Sequence, residues 1–506
     1  MAEPLRRVVV VGGDSCAPGV GAFVANSLRG TDAKITLVDS LSGYSGVAST
    51  LPLSTDFCKL LRFREPSLVA GTGATFKLGT EYSGWLQDGQ RFLQSYGEHG
   101  VPIRLLPFHQ YFIHHKLDGG STHFGDYSLA DAAIRNGRFS YPSPDPASWQ
   151  LPYQYGLQVD TERFAGAMLQ YAIAAGVEHV PTAAAGASVR ADSGFIESVS
   201  LEDGTVIGGE LFIDCSGERG MLIGEVLGAD YQGWSGFLPC DRCVRVSIKN
   251  VFDLSPVTRI VAKAHGWSRR MQLLERADVE YFYNVEITSD ADAAMQLAQD
   301  VGADRSAVQE YRSVRAGRRE TPWRGNCIAI GRSAGDLEPL EVSALSRAHS
   351  AVMRLMTLWP HADCDPVIAD EYNRLTSREY EFARDFATLF YVLSDRNDSD
   401  FWRHCQSLTT PETLDYRLSL FRSRGRLSWD AEDIFSRDNW FSALLGLDCL
   451  PQASDPLVDL AEPALVEQLM SQLLDAIRDK VEKMPRHDVF LRQLHEQARN
   501  RNAKQT

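Results

Sequence analysis

Residues 7–39 read RVVVVGGDSCAPGVGAFVANSLRGTDAKITLVD, and the reading of this stretch decides the fold. A β-branched run closes on Gly12 and Gly13, a small-residue turn follows, an apolar helical segment spans Gly19 to Leu28, and a second β-rich run from Ala33 ends on Asp39. Strand, glycine turn, helix, strand and terminal carboxylate make a dinucleotide-binding βαβ unit. In such a unit a diphosphate rests on the helix N-terminus and the terminal acid, Asp39, takes a ribose hydroxyl. The glycine fingerprint is altered, its three positions holding Gly12, Asp14 and Ala17. Alanine suits the third position, which needs only close helix packing. Asp14 sets a carboxylate where backbone should approach a diphosphate, a like-charge contact that opposes binding. Gly19 and Gly21 are available to rebuild the turn, so the βαβ unit is expected and the strength of dinucleotide binding is left open.

A second stretch, GNCIAIGRSAGDLEPLEVSA over Gly325–Ala344, has related logic. Cys327 to Gly331 reads as a buried strand closed by a tight turn. Arg332–Asp336 is a small polar loop, Leu337–Glu341 follows, and a periodic segment from Val342 to Trp359 predicts a helix. Strand, backbone-rich loop and helix start direct N–H groups into a cleft, where an anion or a phosphate-bearing cofactor can sit. Glu341 is the carboxylate at the junction.

The remaining chain supports an α/β fold. Asp160–Ala175 predicts an amphipathic helix with Phe164, Met168, Tyr171 and Ala172 on its apolar face. Asp203-Gly204 marks a hairpin between two alternating segments. Leu211–Gly217 is another strand ending in glycine, a second place for a cofactor to pass over backbone. Asp118–Ser121 reads as a turn and residues 140–149 as a surface loop. Lys77 alternates with apolar neighbours, a pattern that composition alone assigns to a solvated edge lysine. From about residue 345 the texture is helical and charge-rich. The expected architecture is a Rossmann-like α/β domain with mixed sheets over residues 1–345, followed by a mainly helical C-terminal module over 346–506.

Composition narrows the function. The 506 residues carry a net charge of -15 and no basic run, which excludes a phosphate-backbone binder. No apolar run approaches membrane-spanning length, and the few apolar residues before Gly12 are too short for a signal peptide. Nine scattered cysteines suit a reducing compartment, so a cytoplasmic enzyme is expected. Cys240 and Cys243 form a CxxC without a second pair or a histidine, and two cysteines on a buried strand are favoured over a redox or metal site.

These residues, taken together, resemble the flavin-dependent halogenases, of which the tryptophan halogenases are the best-known members, along nearly the whole chain. The segment Ala74–Thr80 with Trp85 resembles the one that holds that family's catalytic lysine, here Lys77. Leu211–Gly217 with Arg219 and Leu222–Gly224, Trp234, and Leu238–Arg242 continue the match. Asn326–Gly331 through Leu337–Glu341 is its most specific part, and Glu379–Tyr391, Asp398–Trp402 and Met484–His487 also fit. The resemblance implies FAD, delivered reduced by a separate flavin reductase, and a halide ion, chloride or bromide. Electrophilic halogen would travel through an internal tunnel to an aromatic substrate. Lys77 would hold or carry it, and Glu341 would orient it and take the proton released by the arene. Desolvation favours the neutral amine that such a lysine needs, and a nearby carboxylate opposes this, so the pair must be balanced. The flavin would rest on Gly12, Gly13, Ser15, Ala17, Asp39, Gly217, Gly331, Ala334, Gly335 and Leu340. The halide would sit on the backbone N–H groups of Ser343 and Ala344, where the family has Thr-Gly; a backbone-made site tolerates that change. Nucleic-acid, membrane and metal partners are not expected, and a homodimer is left open.

The sequence departs from the family in three places. The W-x-W-x-I-P signature falls in His265–Leu273, where only Trp267 matches and Arg269, Met271 and Gln272 replace the other positions. In the family this signature keeps substrate from the flavin and suppresses monooxygenation, so hydroxylation of the arene, or loss of chemistry, stands as an alternative. Arg332 and Asp336 replace apolar residues of the flavin loop, and Arg332 is placed to pair with phosphate or with Asp14. No tyrosine-rich lid is present. Residues 429–446 contain no tyrosine; Trp440 and Phe441 are the substrate contacts expected there, with helix core an equally good account of both. A smaller indole, a phenol or a carrier-bound or complex aromatic is therefore favoured over free tryptophan.

Overall fold

The computed structural model describes residues 3–86, 89–104, 106–142, 152–249, 254–430 and 432–502. Of the surface loop expected over 140–149, residues 143–149 lie outside that range. The chain divides into two interleaved compact units: Met1–Ala74, Val159–Asp241 and Ser313–Ala383 form one, and Thr75–Gln158, Arg242–Arg312 and Arg384–Thr506 the other.

The first unit is built on a six-stranded sheet in the order Trp323–Arg324, Cys327–Ala329, Leu211–Asp214, Arg7–Val11, Lys34–Val38 and Glu178–Val180. All neighbours run parallel except the edge pair Trp323–Arg324 with Cys327–Ala329. Val8 to Val11 are at most 1% exposed, as expected of a strand covered on both faces, which is why the run is continuously β-branched rather than alternating. Helix Ala17–Ser27 crosses from Arg7–Val11 to Lys34–Val38. Pro18 lies in its first turn, where a missing N–H costs nothing. It packs on helix Thr161–Ala174, whose N-cap Asp160 accepts from Arg163 N–H. Phe164, Met168 and Ala172 are buried and Tyr171 half-buried, so the predicted face is the packed one. The Asp203-Gly204 hairpin joins Ile196–Leu201 to Val206–Gly208.

The second unit centres on a mixed seven-stranded sheet, in the order Val308–Ser313, Arg242–Lys249, Arg276–Tyr283, Gly266–Gln272, Thr258–Lys263, Gly79–Ser83 and Arg91–Ser95. Helix Asp290–Val301 buries Ala293, Ala294 and Leu297 against Val244, Val246 and Tyr281 of that sheet. A separate strand, Thr75–Lys77, pairs antiparallel with Gly156–Gln158, bringing Lys77 opposite Gly156. The helical texture expected after residue 345 is present: Ala344–Thr357, Pro366–Leu393, Asp400–Cys405, Glu412–Arg424, Arg437–Gly446, Pro463–Lys483 and His487–Asn502. Among the described residues, no helix is long and apolar enough to cross a membrane.

Candidate active site

Three adjacent parallel strands, Arg7–Val11, Leu211–Asp214 and Cys327–Ala329, run into turns made of glycine. Gly13, Gly217 and Gly331 have φ of 138°, 79° and 77°, values that a side chain disfavours. A Cβ on Gly12 would fall 2.2 Å from Asp39 Oδ2, and one on Gly331 would fall 2.8 Å from Cys16 Sγ. The sequence therefore keeps bare backbone where three strands deliver it, and this cradle fits a dinucleotide. Asp39 ends the neighbouring strand as predicted, but its carboxylate already accepts from Tyr44 O–H and, at 2.8 Å, from Leu41 N–H. Burial pushes the Asp39 carboxyl upward in pKa, with the Tyr44 bond opposing. Tyr44 was not singled out by any sequence signal.

The altered diphosphate position has a definite structure. Asp14 N–H donates to Cys215 O at 3.0 Å, and Asp14 O accepts from Ala17 N–H at 3.0 Å, so this backbone is committed to the fold. Asp14 Oδ2 is buried without a hydrogen bond, Ser15 Oγ lies 3.4 Å from Oδ1, and Arg332 Nε stands 3.7 Å from Oδ2. The guanidinium expected to offset Asp14 is thus beside it. Arg332→Ala is expected to weaken FAD binding by about fivefold, read by quenching of flavin fluorescence. The same change in an Asp14→Gly background is expected to do less. Equal affinities of wild type and Arg332→Ala would refute the pairing.

The Gly331–Asp336 loop is a 3-10 turn, Gly331–Ser333, and a two-residue strand, Gly335–Asp336. Ala334 O accepts from Arg319 N–H at 2.7 Å, and a Cβ on Gly335 would meet Gly317 O at 2.6 Å and Tyr380 at 2.8 Å. Tyr380 donates its hydroxyl toward Gly331 O and Gly335 O, at 3.3 and 3.2 Å, bracing the loop. Leu340 is buried, and its N–H donates to Glu338 O at 2.9 Å. Glu338 in turn accepts from Cys240 N–H at 2.7 Å, a structural role for the other acid of this segment. Glu341 is 5% exposed. Ser343 caps helix Ala344–Thr357, accepting from Ser346 N–H.

In the second unit, Lys77 is 1% exposed, with its ammonium 5.1 Å from the centre of the Tyr96 ring. A solvated edge lysine, the expectation from composition, is thereby overturned: a three-residue strand with Phe76 and Leu78 fully buried on either side leaves the side chain no route to water. Trp267 is fully buried, stacked on Phe282 at 4.2 Å, and donates Nε1–H to Tyr391 OH at 2.7 Å. Arg269, where the family has its second tryptophan, faces Glu280 across the sheet and donates from Nε at 3.0 Å. The departure is thus a cross-strand ion pair rather than a gap. Trp440 and Phe441, on helix Arg437–Gly446, are each 1% exposed. The Arg417 guanidinium covers Trp440 at 4.5 Å, and Phe441 stacks on His109 at 3.8 Å. Both thus have well-packed core neighbours. Cys240 and Cys243 are buried and form no disulfide, and the described residues contain no group of three or more metal-binding side chains.

A parallel sheet whose strands end in glycine turns is a dinucleotide-binding type of α/β fold. The profile of the tryptophan halogenase family matches residues 7–463, and the chain belongs to this family. BrvH, a flavin-dependent halogenase from Brevundimonas sp. BAL3, superposes with a TM-score of 0.92 at 32% identity, covering 97% of this chain and 99% of that one. Xcc4156, a flavin-dependent halogenase from Xanthomonas campestris, gives 0.91 at 30% identity, with 97% and 98% covered. Among curated proteins, tryptophan 6-halogenase SttH from Streptomyces toxytricini is 27% identical over 515 residues, 95% of this chain and 96% of that one. As a member of this flavin-dependent family the protein is an enzyme that uses reduced FAD and halide.

Proposed function

We propose that this enzyme halogenates an aromatic substrate of indole or phenol type, taking reduced FAD from a separate flavin reductase. Bound reduced FAD supplies the electrons with which oxygen and halide yield electrophilic halogen. The chain's own residues do the rest. The glycine turns at Gly12, Gly13, Gly217 and Gly331 admit the cofactor, with Ser15, Ala17, Asp39, Ala334, Gly335 and Leu340 around it, and the N–H groups of Ser343 and Ala344 seat the halide. Lys77 guides the halogen, Glu341 orients it and accepts the proton lost from the arene, and Trp267, Trp440 and Phe441 serve the substrate side. The observation that carries this reading is the burial of Lys77, 1% exposed, which sets an amine in the interior of the fold, away from the water that would consume an electrophile.

The absence of tyrosine from residues 429–446 favours a substrate other than free tryptophan. The test is incubation with FAD, a flavin reductase, NADH and bromide over a panel of indoles, phenols and tryptophan, read by mass spectrometry. Product with the paired bromine isotope pattern, strongest for an arene other than tryptophan, is expected. An oxygenated, halogen-free product would instead assign hydroxylation, the reaction that replacement of the second signature tryptophan by Arg269 leaves open.

A further inference from the structure

Behind Ser343 runs a line of hydroxyls that the proposed reaction does not use. Ser343 Oγ lies 3.2 Å from Ser346 Oγ, Ser346 Oγ 3.4 Å from Ser54 Oγ, and Ser54 Oγ 2.9 Å from Nδ1 of His349. All four side chains are buried. The His349 ring stacks on Phe57 at 3.8 Å, and its Nε2 has no hydrogen-bond partner. Burial holds its pKa down at about 3, so the ring is neutral and carries a single N–H. Two backbone donors fix part of the line: Leu51 N–H donates to Ser346 Oγ at 3.0 Å, and Ser346 N–H to Ser343 Oγ at 3.3 Å.

Counting protons leaves two arrangements. With the imidazole hydrogen on Nε2, Nδ1 accepts from Ser54, Ser54 accepts from Ser346, and Ser346 accepts from Ser343. The Ser343 proton then points inward, and Nε2–H is a buried donor with no acceptor. With the hydrogen on Nδ1, every bond reverses: His349 donates to Ser54, Ser54 to Ser346, and Ser346 to Ser343. Ser343 then offers its own proton to a group outside the line, and Nε2 is left with an unpaired lone pair. The two arrangements exchange an orphan Nε2–H for a Ser343 O–H that faces away from the line, and an anion accepting at Ser343 selects the second.

We propose that His349, acting through Ser54 and Ser346, aims the Ser343 hydroxyl proton at the bound halide, so that Ser343 contributes a side-chain donor beside the backbone N–H groups. The inference rests on the reading of Ser343 and Ala344 as the halide seat. His349, Ser54 and Ser346 are positioning residues, since they act through Ser343. Sequence inspection could not pair Ser54 with His349 across 295 positions.

Two measurements test it: KM for bromide and kcat at saturating reduced FAD and arene, and the bromide-induced rise in melting temperature of FAD-loaded protein, which needs no turnover. His349→Phe keeps the stack on Phe57 and removes Nδ1; Ser343→Ala removes the donor itself. Each is expected to raise the bromide KM about fivefold to tenfold and to shrink the bromide-dependent melting shift, the loss of one hydrogen bond to an anion. In His349→Phe, kcat should change by less than about twofold, since seating rather than chemistry is affected. The double variant should lose no more than either single one, because the same donor is removed twice. A bromide response in His349→Phe equal to wild type, a fall in kcat at unchanged KM, or full additivity in the double variant would overturn the inference while leaving the seat intact. A wild-type protein with neither bromide-dependent turnover nor a bromide-dependent melting shift would remove the seat and this inference together. Should His349→Phe not fold, Ser54→Ala carries the same expectation, with Ser54→Thr restoring the wild-type value.

Discussion

Lys77→Met is expected to lower the rate of halogenated product formation by about 10²–10⁴-fold while leaving FAD affinity unchanged and the protein folded. The asymmetry between activity and stability is the informative part. Lys77 is 1% exposed on the short strand Thr75–Lys77, between the fully buried Phe76 and Leu78. Methionine has a similar length and volume, so it keeps the packing of this buried position while removing the amine. A functional amine therefore predicts that chemistry is lost in a protein that still folds. The choice of methionine over alanine matters, because alanine adds a cavity and mixes a folding defect into the kinetic one. Product formation and melting temperature measured on the same preparation decide the point. If Lys77→Met retained more than about a tenth of wild-type turnover, the guiding role would fall, whatever its stability. If halogenated product vanished and oxygenated product appeared in its place, Lys77 would be the residue that commits the enzyme to halogen transfer. That outcome would also make the Arg269–Glu280 pair insufficient by itself to convert the site to a hydroxylase.

The parts of the molecule that were legible in sequence are those whose signal is local. Arg7 to Asp39 could be read because a buried parallel strand, a glycine turn and a helix each impose a pattern within a few residues, and the structure places each element where the pattern does, to within two residues. The consequence of Asp14 was legible in sign, because a charge mismatch needs only residue identity; Arg332 was read as a partner for phosphate or for Asp14, and the meeting of two strand ends sets it 3.7 Å from Asp14. Lys77 illustrates the opposite limit. Three residues are too few for periodicity to separate an edge from an interior, and only the pairing of Thr75–Lys77 with Gly156–Gln158 fixes its surroundings. The same holds for Arg269, whose partner Glu280 is defined by register between neighbouring strands rather than by spacing in the chain. Trp440 and Phe441 read as aromatic positions on a helix, which they are, but an aromatic helix face carries the same pattern whether it covers a ligand or a core.

Asp336 looked like a liability in sequence, an acid where the flavin loop of the family is apolar, and its structural partner turns it into the second large expectation. Arg347, with a side chain 1% exposed, donates from Nη2 to Asp336 Oδ1 at 3.0 Å and from Nη1 to Val342 O at 3.2 Å, and its guanidinium lies 5.3 Å from the centre of the Tyr380 ring. Asp336 also accepts from Leu337 N–H at 3.0 Å. The pair thus ties the Gly331–Asp336 loop to the first turn of helix Ala344–Thr357, the helix capped by Ser343. Breaking a buried pair strands a charge that water cannot reach, whereas replacing both partners removes the charge together with its desolvation penalty. Asp336→Ala should therefore destabilise the protein by about 3–5 kcal/mol, and Asp336→Leu combined with Arg347→Met should recover most of that loss. Urea unfolding gives the comparison as a shift in midpoint at unchanged slope. A loss below about 1 kcal/mol in Asp336→Ala, the range of an exposed pair, would show that Arg347 is solvated after all. FAD titration of the double variant then separates two roles. If the ion pair only stabilises the fold, restored stability restores FAD affinity. If it also holds the flavin loop in register with the capped helix, affinity stays reduced in a protein as stable as wild type, because apolar packing there keeps the volume of the contact but not the directional bonds from Arg347 to Asp336 and Val342.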